Sequence, residues 1–138
     1  MPAKQIQNDV NLPKDYIPSE DEQYMNQFQL SFFKRKLIDS RIILQEELEN
    51  INEQIHSSAN VDIDLSDKVS NEIILFSQIK RLDSIQKSIN LIDDSLERIV
   101  HGKYGFCQKT NQKIGIKRLL ANPEAKFCLE VQEVSEQE

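Results

Sequence analysis

The feature that most constrains the fold is a seven-residue apolar repeat that fills two long stretches free of glycine and proline. In the first stretch, about 21–56, one row recurs: Leu30, Leu37, Leu44 and Ile51. In the second, about 67–100, two rows recur: Leu75, Leu82, Ile89 and Leu96, then Ile85, Ile92 and Ile99. Seven-residue spacing places an apolar seam along one side of a helix, as in coiled coils. The sequence therefore predicts two long amphipathic helices.

A short polar and acidic segment, 57–66, separates the two stretches and predicts a turn that ends near Asp67. Two seams of similar length joined by a short turn should pair in antiparallel fashion, because pairing buries both apolar faces. Each helix would be roughly 50 Å long. We therefore predict a mainly α fold with a long antiparallel coiled-coil hairpin over 21–100 and its tip at about 57–67.

The two flanks differ from the hairpin in composition. Residues 1–20 are polar, hold three of the four prolines and predict a flexible N-terminal arm. The acidic end of this arm, Ser19–Glu22, predicts the cap of the first helix. Residues 101–138 hold all three glycines and both cysteines. They predict a small finger-like knob with two short strands and a short helix, followed by a polar C-terminal helix.

Charge and composition exclude several functional classes. A net charge of −6 argues against sequence-specific DNA binding, since proteins that bind DNA usually carry a cationic excess. No stretch approaches the roughly 20 apolar residues that span a bilayer, and the N-terminus has no apolar signal core. Two cysteines are too few for a secreted disulfide framework. These features predict a cytoplasmic protein without membrane contact, and a self-paired hairpin predicts a monomer.

Enzymatic motifs are also missing from the sequence. There is no plausible Ser-His-Asp set, no glycine loop for phosphates and no HExxH-type motif. The protein is therefore not expected to be an enzyme. The heptads alone fit a structural or adaptor coiled coil equally well, and the two cysteines also leave a redox or metal-binding module open.

Several short motifs after the second heptad stretch discriminate between these alternatives. They are Tyr104-Gly105-Phe106-Cys107, Ile114-Gly115-Ile116-Lys117-Arg118-Leu119, Ala121-Asn122-Pro123 and Cys128. In order and position they resemble the finger of the DksA/TraR family. Tyr24-Met25-Asn26 also resembles the start of that family's first long helix, so that the resemblance runs from about 24 to 131.

The resemblance implies a bacterial transcription regulator that binds RNA polymerase. The hairpin of such a protein enters the secondary channel of the polymerase and changes the stability of the open promoter complex, without catalytic residues of its own. The alternative is a coiled-coil structural or adaptor protein that does not bind polymerase. Binding to purified core polymerase distinguishes the two.

The resemblance also implies functional residues at the hairpin tip. The family carries two aspartates three residues apart, which correspond to Asp64 and Asp67, and then an alanine, whose place Val69 takes. Leu65 replaces the family's usual proline, which should loosen the turn. A carboxylate delivered into a basic channel would act through its charge. The competing interpretation is that these aspartates only form a turn and cap a helix.

The finger lacks two of the four zinc ligands of the family's zinc type. Its ligand positions hold Cys107, Thr110, Cys128 and Val131. Structural zinc is nearly always held by four cysteine or histidine side chains. We therefore expect no cofactor and a zinc-free knob in which Cys107 and Cys128 stay close as thiols; any residual metal would sit on these two. The expected core is Phe106, Ile114, Ile116, Leu119, Leu120 and Phe127.

Some family members bind the alarmone guanosine tetraphosphate (ppGpp) where they contact polymerase. Three basic positions of that site correspond here to Leu91, Asn122 and Gln132, none of which is cationic. Because phosphates are bound mainly through charge-assisted hydrogen bonds, the expected alarmone synergy is weak or absent.

Overall fold

A computed structural model describes residues 12–58 and 65–131, and these residues are mainly helical. Within these ranges the named helices follow in the order α1, Gln27–Ser58, α2, Leu65–Val100, and α3, Ile116–Ala121. The two long helices confirm the mainly α hairpin fold. Residues 129–131 are also helical; the remainder of the expected C-terminal helix, 132–138, lies outside the described residues. Within the described ranges, no helix has both the length and the apolarity needed to cross a membrane.

Helix α1 begins at Gln27, later than the predicted start at about 21, because the cap is formed by a different pair of residues. The backbone N–H of Gln29 donates to the side-chain oxygen of Asn26 at 2.9 Å. In return, the side-chain oxygen of Gln29 accepts the backbone N–H of Met25 at 2.7 Å. This reciprocal arrangement is close to a capping box, with Asn26 in the capping position. The predicted cap at Ser19–Glu22 is therefore wrong.

Residues 12–20 pack against α1 rather than extending as an arm. The ring of Tyr16 lies 5.9 Å from that of Phe28 and 6.2 Å from that of Phe32. The Tyr16 hydroxyl donates to the Glu22 carboxylate at 2.5 Å, and burial together with this bond raises the pKa of Tyr16. The second half of the predicted 1–20 arm thus has specific contacts, whereas its first half lies outside the described residues.

The chain divides into two compact units, and one of them, Ser40–Asn90, consists of two paired helical segments. Arg81 of α2 bonds Glu47 of α1 at 2.8 Å, and Gln78 bonds Gln54 at 3.1 Å. The earlier residue of α2, Gln78, meets the later residue of α1, Gln54. The two segments therefore run antiparallel. In this unit Ile85 and Ile89 are buried. Leu75, which belongs to the predicted seam, is 38% exposed.

The other unit, Met1–Asp39 with Leu91–Glu138, holds most of the fully buried side chains. Its described core comprises Phe33, Leu37, Ile92, Ile99, Tyr104, Cys107, Ile114, Ile116, Leu119 and Ala125. The rings of Phe33 and Tyr104 lie 5.7 Å apart. Lys36 donates to the carbonyl of Leu120 at 2.9 Å, so that a cation meets the carboxyl end of α3, where it is stabilising. Helix α1, the end of α2 and α3 thereby share one core.

The knob has less regular structure than the sequence predicted. Over the described residues its two expected strands reduce to a single antiparallel bridge between Phe106 and Lys113. The chain reverses within the intervening residues through two backbone bonds, Cys107 N–H to Gln112 O and Asn111 N–H to Cys107 O, both 2.8 Å. Too few residues remain on either side of this reversal to extend the ladder.

Candidate functional site

Of the three residues assigned to the hairpin tip, Asp67 and Val69 fall at the start of α2. Asp64 lies outside the described residues. Asp67 lies in the first turn of α2. Val69, two residues further along α2, is 57% exposed. The exposure of Val69 is compatible with a contact surface near the start of α2.

The finger is positioned by Tyr24, a residue just before α1. Its hydroxyl donates to the carbonyl of Gly105 at 2.6 Å and accepts the backbone N–H of Gly115 at 3.1 Å. Its ring also lies edge-on to that of Phe106, at 5.5 Å. A single phenol therefore joins the two glycine-containing turns of the finger, and it explains structurally why the motif at 24–26 accompanies the motif at 104–107.

Gly105 is required by both its backbone and its surroundings. Its φ of +89° lies in the region that side chains disfavour. A β-carbon here would lie 2.9 Å from Cγ of Met25 and 3.1 Å from the Tyr24 hydroxyl. The segment before α1 and the finger are therefore packed against each other as closely as a glycine allows.

The sulfur of Cys107 is fully buried and surrounded by hydrogen-bond donors. The Thr110 hydroxyl donates to it, as do the backbone N–H groups of Cys128, Thr110 and Lys109. Burial alone would raise the pKa of Cys107, but these four bonds outweigh it and lower the pKa to about 6. Cys107, Thr110 and Cys128 therefore do meet, with the thiol of Cys107 prepared to carry negative charge.

The fourth position does not join them as a ligand. Val131 lies three residues beyond Cys128, within the helical residues 129–131, and has no donor atom in its side chain. Both cysteines are free thiols. In the described part of the chain, no group of three or more histidine, cysteine or carboxylate residues has the arrangement of a metal site. Two thiols, a hydroxyl and an alkyl group do not fit a structural zinc site, which is almost always formed by four cysteine or histidine ligands.

The expected knob core is correct in part. Ile114, Ile116 and Leu119 are buried, whereas Phe106, Leu120 and Phe127 are partly exposed. Sequence reasoning missed Tyr104 and Arg98 as interior residues. Tyr104 donates to the carbonyl of Pro123 at 2.9 Å, and the Arg98 side chain donates to Ser95 and to the carbonyl of Ala125. The tyrosine was visible as part of a motif, but an arginine near a helix end gives no sequence signal of burial.

Of the three positions that correspond to the alarmone site, two are described. Leu91 is 38% exposed and Asn122 is the exposed residue that ends α3. Gln132 lies outside the described residues. Neither described side chain carries a charge that could pair with phosphate.

Comparison with known proteins identifies close similarities over most of the chain. The model of the prokaryotic dksA/traR C4-type zinc finger matches residues 102–137. The RNA polymerase-binding transcription factor DksA of Caulobacter vibrioides (strain NA1000 / CB15N) is 39% identical over 120 residues, which cover 86% of this chain and 84% of that protein. The DksA of Escherichia coli (strain K12) is 28% identical over 121 residues, covering 88% of this chain and 80% of that protein.

A solved structure agrees with this similarity. The transcription factor DksA2 from Pseudomonas aeruginosa superposes with a TM-score of 0.77 at 33% sequence identity. The superposition covers 83% of this chain and 88% of the DksA2 chain. Sequence similarity to the DksA of Caulobacter vibrioides and structural similarity to DksA2 thus each extend over more than four fifths of this chain.

Proposed function

This chain belongs to the DksA/TraR family, and we propose that it binds bacterial RNA polymerase through the secondary channel and regulates transcription initiation. One observation carries the proposal: the 39% identity to a polymerase-binding DksA extends over 84% of that protein. A coiled coil of unrelated function would share the heptads but not the finger motifs. The structural or adaptor alternative is therefore disfavoured.

The proposed mechanism delivers the carboxylates of Asp64 and Asp67 into the channel on the tip of the hairpin. In a channel that excludes bulk water, a carboxylate acts over several ångströms through its charge, because the effective dielectric constant is low. The protein would shorten the lifetime of the open promoter complex without catalysing a reaction. Val69 would contribute an exposed apolar contact beside the charge.

The tip mechanism is tested by recording open-complex lifetimes with wild-type protein, Asp67→Asn and the matched control Glu72→Gln. Glu72 is an exposed carboxylate five residues further along α2, so that its substitution removes the same charge outside the proposed tip. All three proteins should bind polymerase. Wild type and Glu72→Gln should shorten the lifetime, and Asp67→Asn should not. Equal activity of all three would show that Asp67 only forms or caps the turn.

We further propose that the finger folds without zinc. The donors around Cys107 take the place that a metal occupies in a four-cysteine finger, since they stabilise a buried thiolate directly. Protein purified without chelator should contain well under one zinc per chain, and its unfolding temperature should not change when a chelator is added. A stoichiometric zinc content that falls together with stability would contradict this proposal.

The remaining properties follow from the same composition and fold. The protein is proposed to act as a cytoplasmic monomer, without catalysis and without sequence-specific DNA contact. Alarmone synergy is proposed to be weak or absent, because Leu91 and Asn122 replace basic residues. Titration of ppGpp into the complex with polymerase tests this: a several-fold increase of the effect on open-complex lifetime would contradict it.

A further inference from the structure

The finger differs in charge from the rest of the described chain. Residues 101–131 hold six lysine and arginine side chains and two carboxylates, a net charge of +4 with histidine neutral, or +3 when Cys107 is a thiolate. By the same count, residues 12–58 carry −4 and residues 65–100 carry −1. The tail, 132–138, adds three glutamates and lies outside the described residues. In the described part of this acidic chain, positive charge is therefore concentrated in the finger.

Two segments of the finger are held side by side by backbone hydrogen bonds. The N–H of Gln108 donates to the carbonyl of Lys126 at 2.9 Å. The buried sulfur of Cys107 accepts backbone N–H groups from both segments, those of Lys109 and Cys128. The loop that carries the Lys109 side chain is therefore fixed against the residues just before Cys128.

Phe127, in the second of these segments, is partly exposed and is flanked by two cations. The ammonium of Lys109 lies 5.9 Å from the centre of its ring, within the range of cation–π contacts. Nε of Arg118 donates to its carbonyl oxygen at 3.1 Å. We call Lys109, Arg118 and Phe127 the basic patch of the finger. Proteins bind single-stranded nucleic acid with this combination, because bases stack on the aromatic ring while phosphates pair with the cations.

The guanidinium of Arg118 is held in place and keeps two donor groups available. Its Nε is engaged by the Phe127 carbonyl, whereas its Nη1 and Nη2 have no hydrogen-bond partner among the described residues. Unlike Nη1 of Arg98, these two nitrogens are not buried. Neither Glu124 nor Glu130, the carboxylates of the described finger, forms an ion pair with the guanidinium. Two adjacent donors of fixed direction match a phosphate group, which can accept both at once.

We propose that the basic patch binds the phosphate backbone of single-stranded nucleic acid without sequence specificity, with one base stacked on Phe127. Arg118 contacts one phosphate through both Nη groups, and Lys109 pairs with a neighbouring phosphate. An acidic protein surface would satisfy the two cations equally well, but it would not use the aromatic ring between them. The patch belongs to the finger of the free protein and not to the hairpin tip, so this binding can fail independently of the proposed binding to polymerase.

Fluorescence anisotropy of the full chain with labelled DNA and RNA strands of about 12 nucleotides tests the proposal, a length within the sites that single-strand-binding folds cover. Saturable binding is expected for at least one strand type, and tighter than to a duplex of equal length, because only unpaired bases can stack. Unlabelled polyglutamate of equal charge should displace the strand poorly. Displacement as effective as that by unlabelled strand would identify an acidic protein surface as the occupant and overturn the proposal. So would the absence of saturable binding up to about 1 mM protein, tenfold above the weak end of non-specific affinities.

Three substitutions separate the patch from general electrostatics. Lys109→Gln should weaken binding by about threefold to tenfold and should reduce the slope of log affinity against log salt by about 0.7, the value for one lost phosphate contact on a single strand. Phe127→Leu keeps an apolar side chain and should remove the preference for single strand over duplex. The matched control Lys80→Gln removes an exposed cation of α2 in the other compact unit and should change neither affinity nor slope. Equal weakening by Lys109→Gln and Lys80→Gln, or an unchanged strand preference in Phe127→Leu with the fold intact by circular dichroism, would overturn the proposal.

Discussion

The two compact units of this chain are stabilised by different means. In Ser40–Asn90, the described hydrogen bonds between α1 and α2 are exposed polar pairs such as Arg81–Glu47, and the buried residues among those described are Ile85 and Ile89. In the other unit, a dozen or so side chains from all three helices and the finger are buried together, and polar groups such as the Tyr24 hydroxyl join segments far apart in sequence. The first unit thus has few buried side chains between its helices, whereas the second depends on contacts of individual residues.

The two units also differ in how many large apolar side chains they expose, which suggests different roles for them. The helical pair exposes large apolar side chains near its predicted tip, among them Ile73 at 67% and Phe76 at 61%. Exposed apolar side chains concentrated in one region are characteristic of contact surfaces. The finger-containing unit instead buries two aromatic residues, Phe33 and Tyr104, in its own core. Substitutions should therefore affect stability in the second unit and partner binding in the first.

The largest contrast is expected between two aromatic residues. Tyr104→Ala should lower the free energy of unfolding by about 3–5 kcal/mol, because it empties a fully buried site and removes the bond to Pro123. Phe76→Ala, at an exposed site, should change it by less than about 1 kcal/mol. Urea unfolding of both variants measures this. Similar losses for the two would show that the helical pair has a core of its own at Phe76.

A smaller contrast is expected between two glycines of positive φ. Gly105→Ala should lower the free energy of unfolding by about 2–3 kcal/mol, because backbone strain adds to the collision of the new β-carbon with Met25. Gly102→Ala introduces backbone strain but no collision, because no atom lies within 4 Å of the added carbon. It should lower the free energy of unfolding by about 1 kcal/mol. Thermal or urea unfolding provides the comparison. Equal costs would mean that the segment before α1 does not pack on the finger as described.

The thiol of Cys107 gives a prediction for pH. Its pKa, about 6, lies below the ordinary value of 9.0 for a cysteine thiol. The thiolate therefore stabilises the fold fully at a pH above that ordinary pKa, and this stabilisation is lost as the pH falls through about 6. Thr110→Val removes one donor and should raise the pKa by about one unit, the effect of one hydrogen bond to a charged group. Ultraviolet thiolate absorbance in a Cys128→Ala background isolates the titration. An unchanged pKa in Thr110→Val would contradict the donor role.

The smallest effect is expected for the ion pair of the helical unit. Arg81→Gln removes the two bonds to Glu47, whose carboxylate oxygens lie 2.8 and 3.1 Å from the guanidinium. Both side chains are substantially exposed, so the free energy of unfolding should fall by less than about 0.5 kcal/mol. Chemical unfolding of the single variants and the double variant with Glu47→Gln measures the coupling. A coupling energy above about 1 kcal/mol would show that this ion pair contributes substantially to the stability of the helical unit.

The hairpin could be predicted from sequence because a coiled-coil seam is a local, periodic property. The start of α1 could not be placed correctly, since Asn26 and Gln29 had to be recognised as reciprocal caps within a stretch that contains several acidic alternatives. The finger motifs located the site by resemblance, and the closeness of Cys107 and Cys128 was expected from it; the donation from Thr110 to Cys107 was not. The role of Tyr24 and the burial of Arg98 could not be derived, because both depend on contacts between residues distant in the chain.

The central claim is that this chain binds RNA polymerase, and the most direct test is equilibrium binding of the purified, fluorescently labelled protein to core polymerase by anisotropy. The account predicts saturable binding that unlabelled protein reverses. The DksA of Caulobacter vibrioides, measured in parallel, serves as the positive control. No saturable binding at polymerase concentrations that saturate this control would contradict the account, and it would mean that the chain has kept the family's fold without its partner.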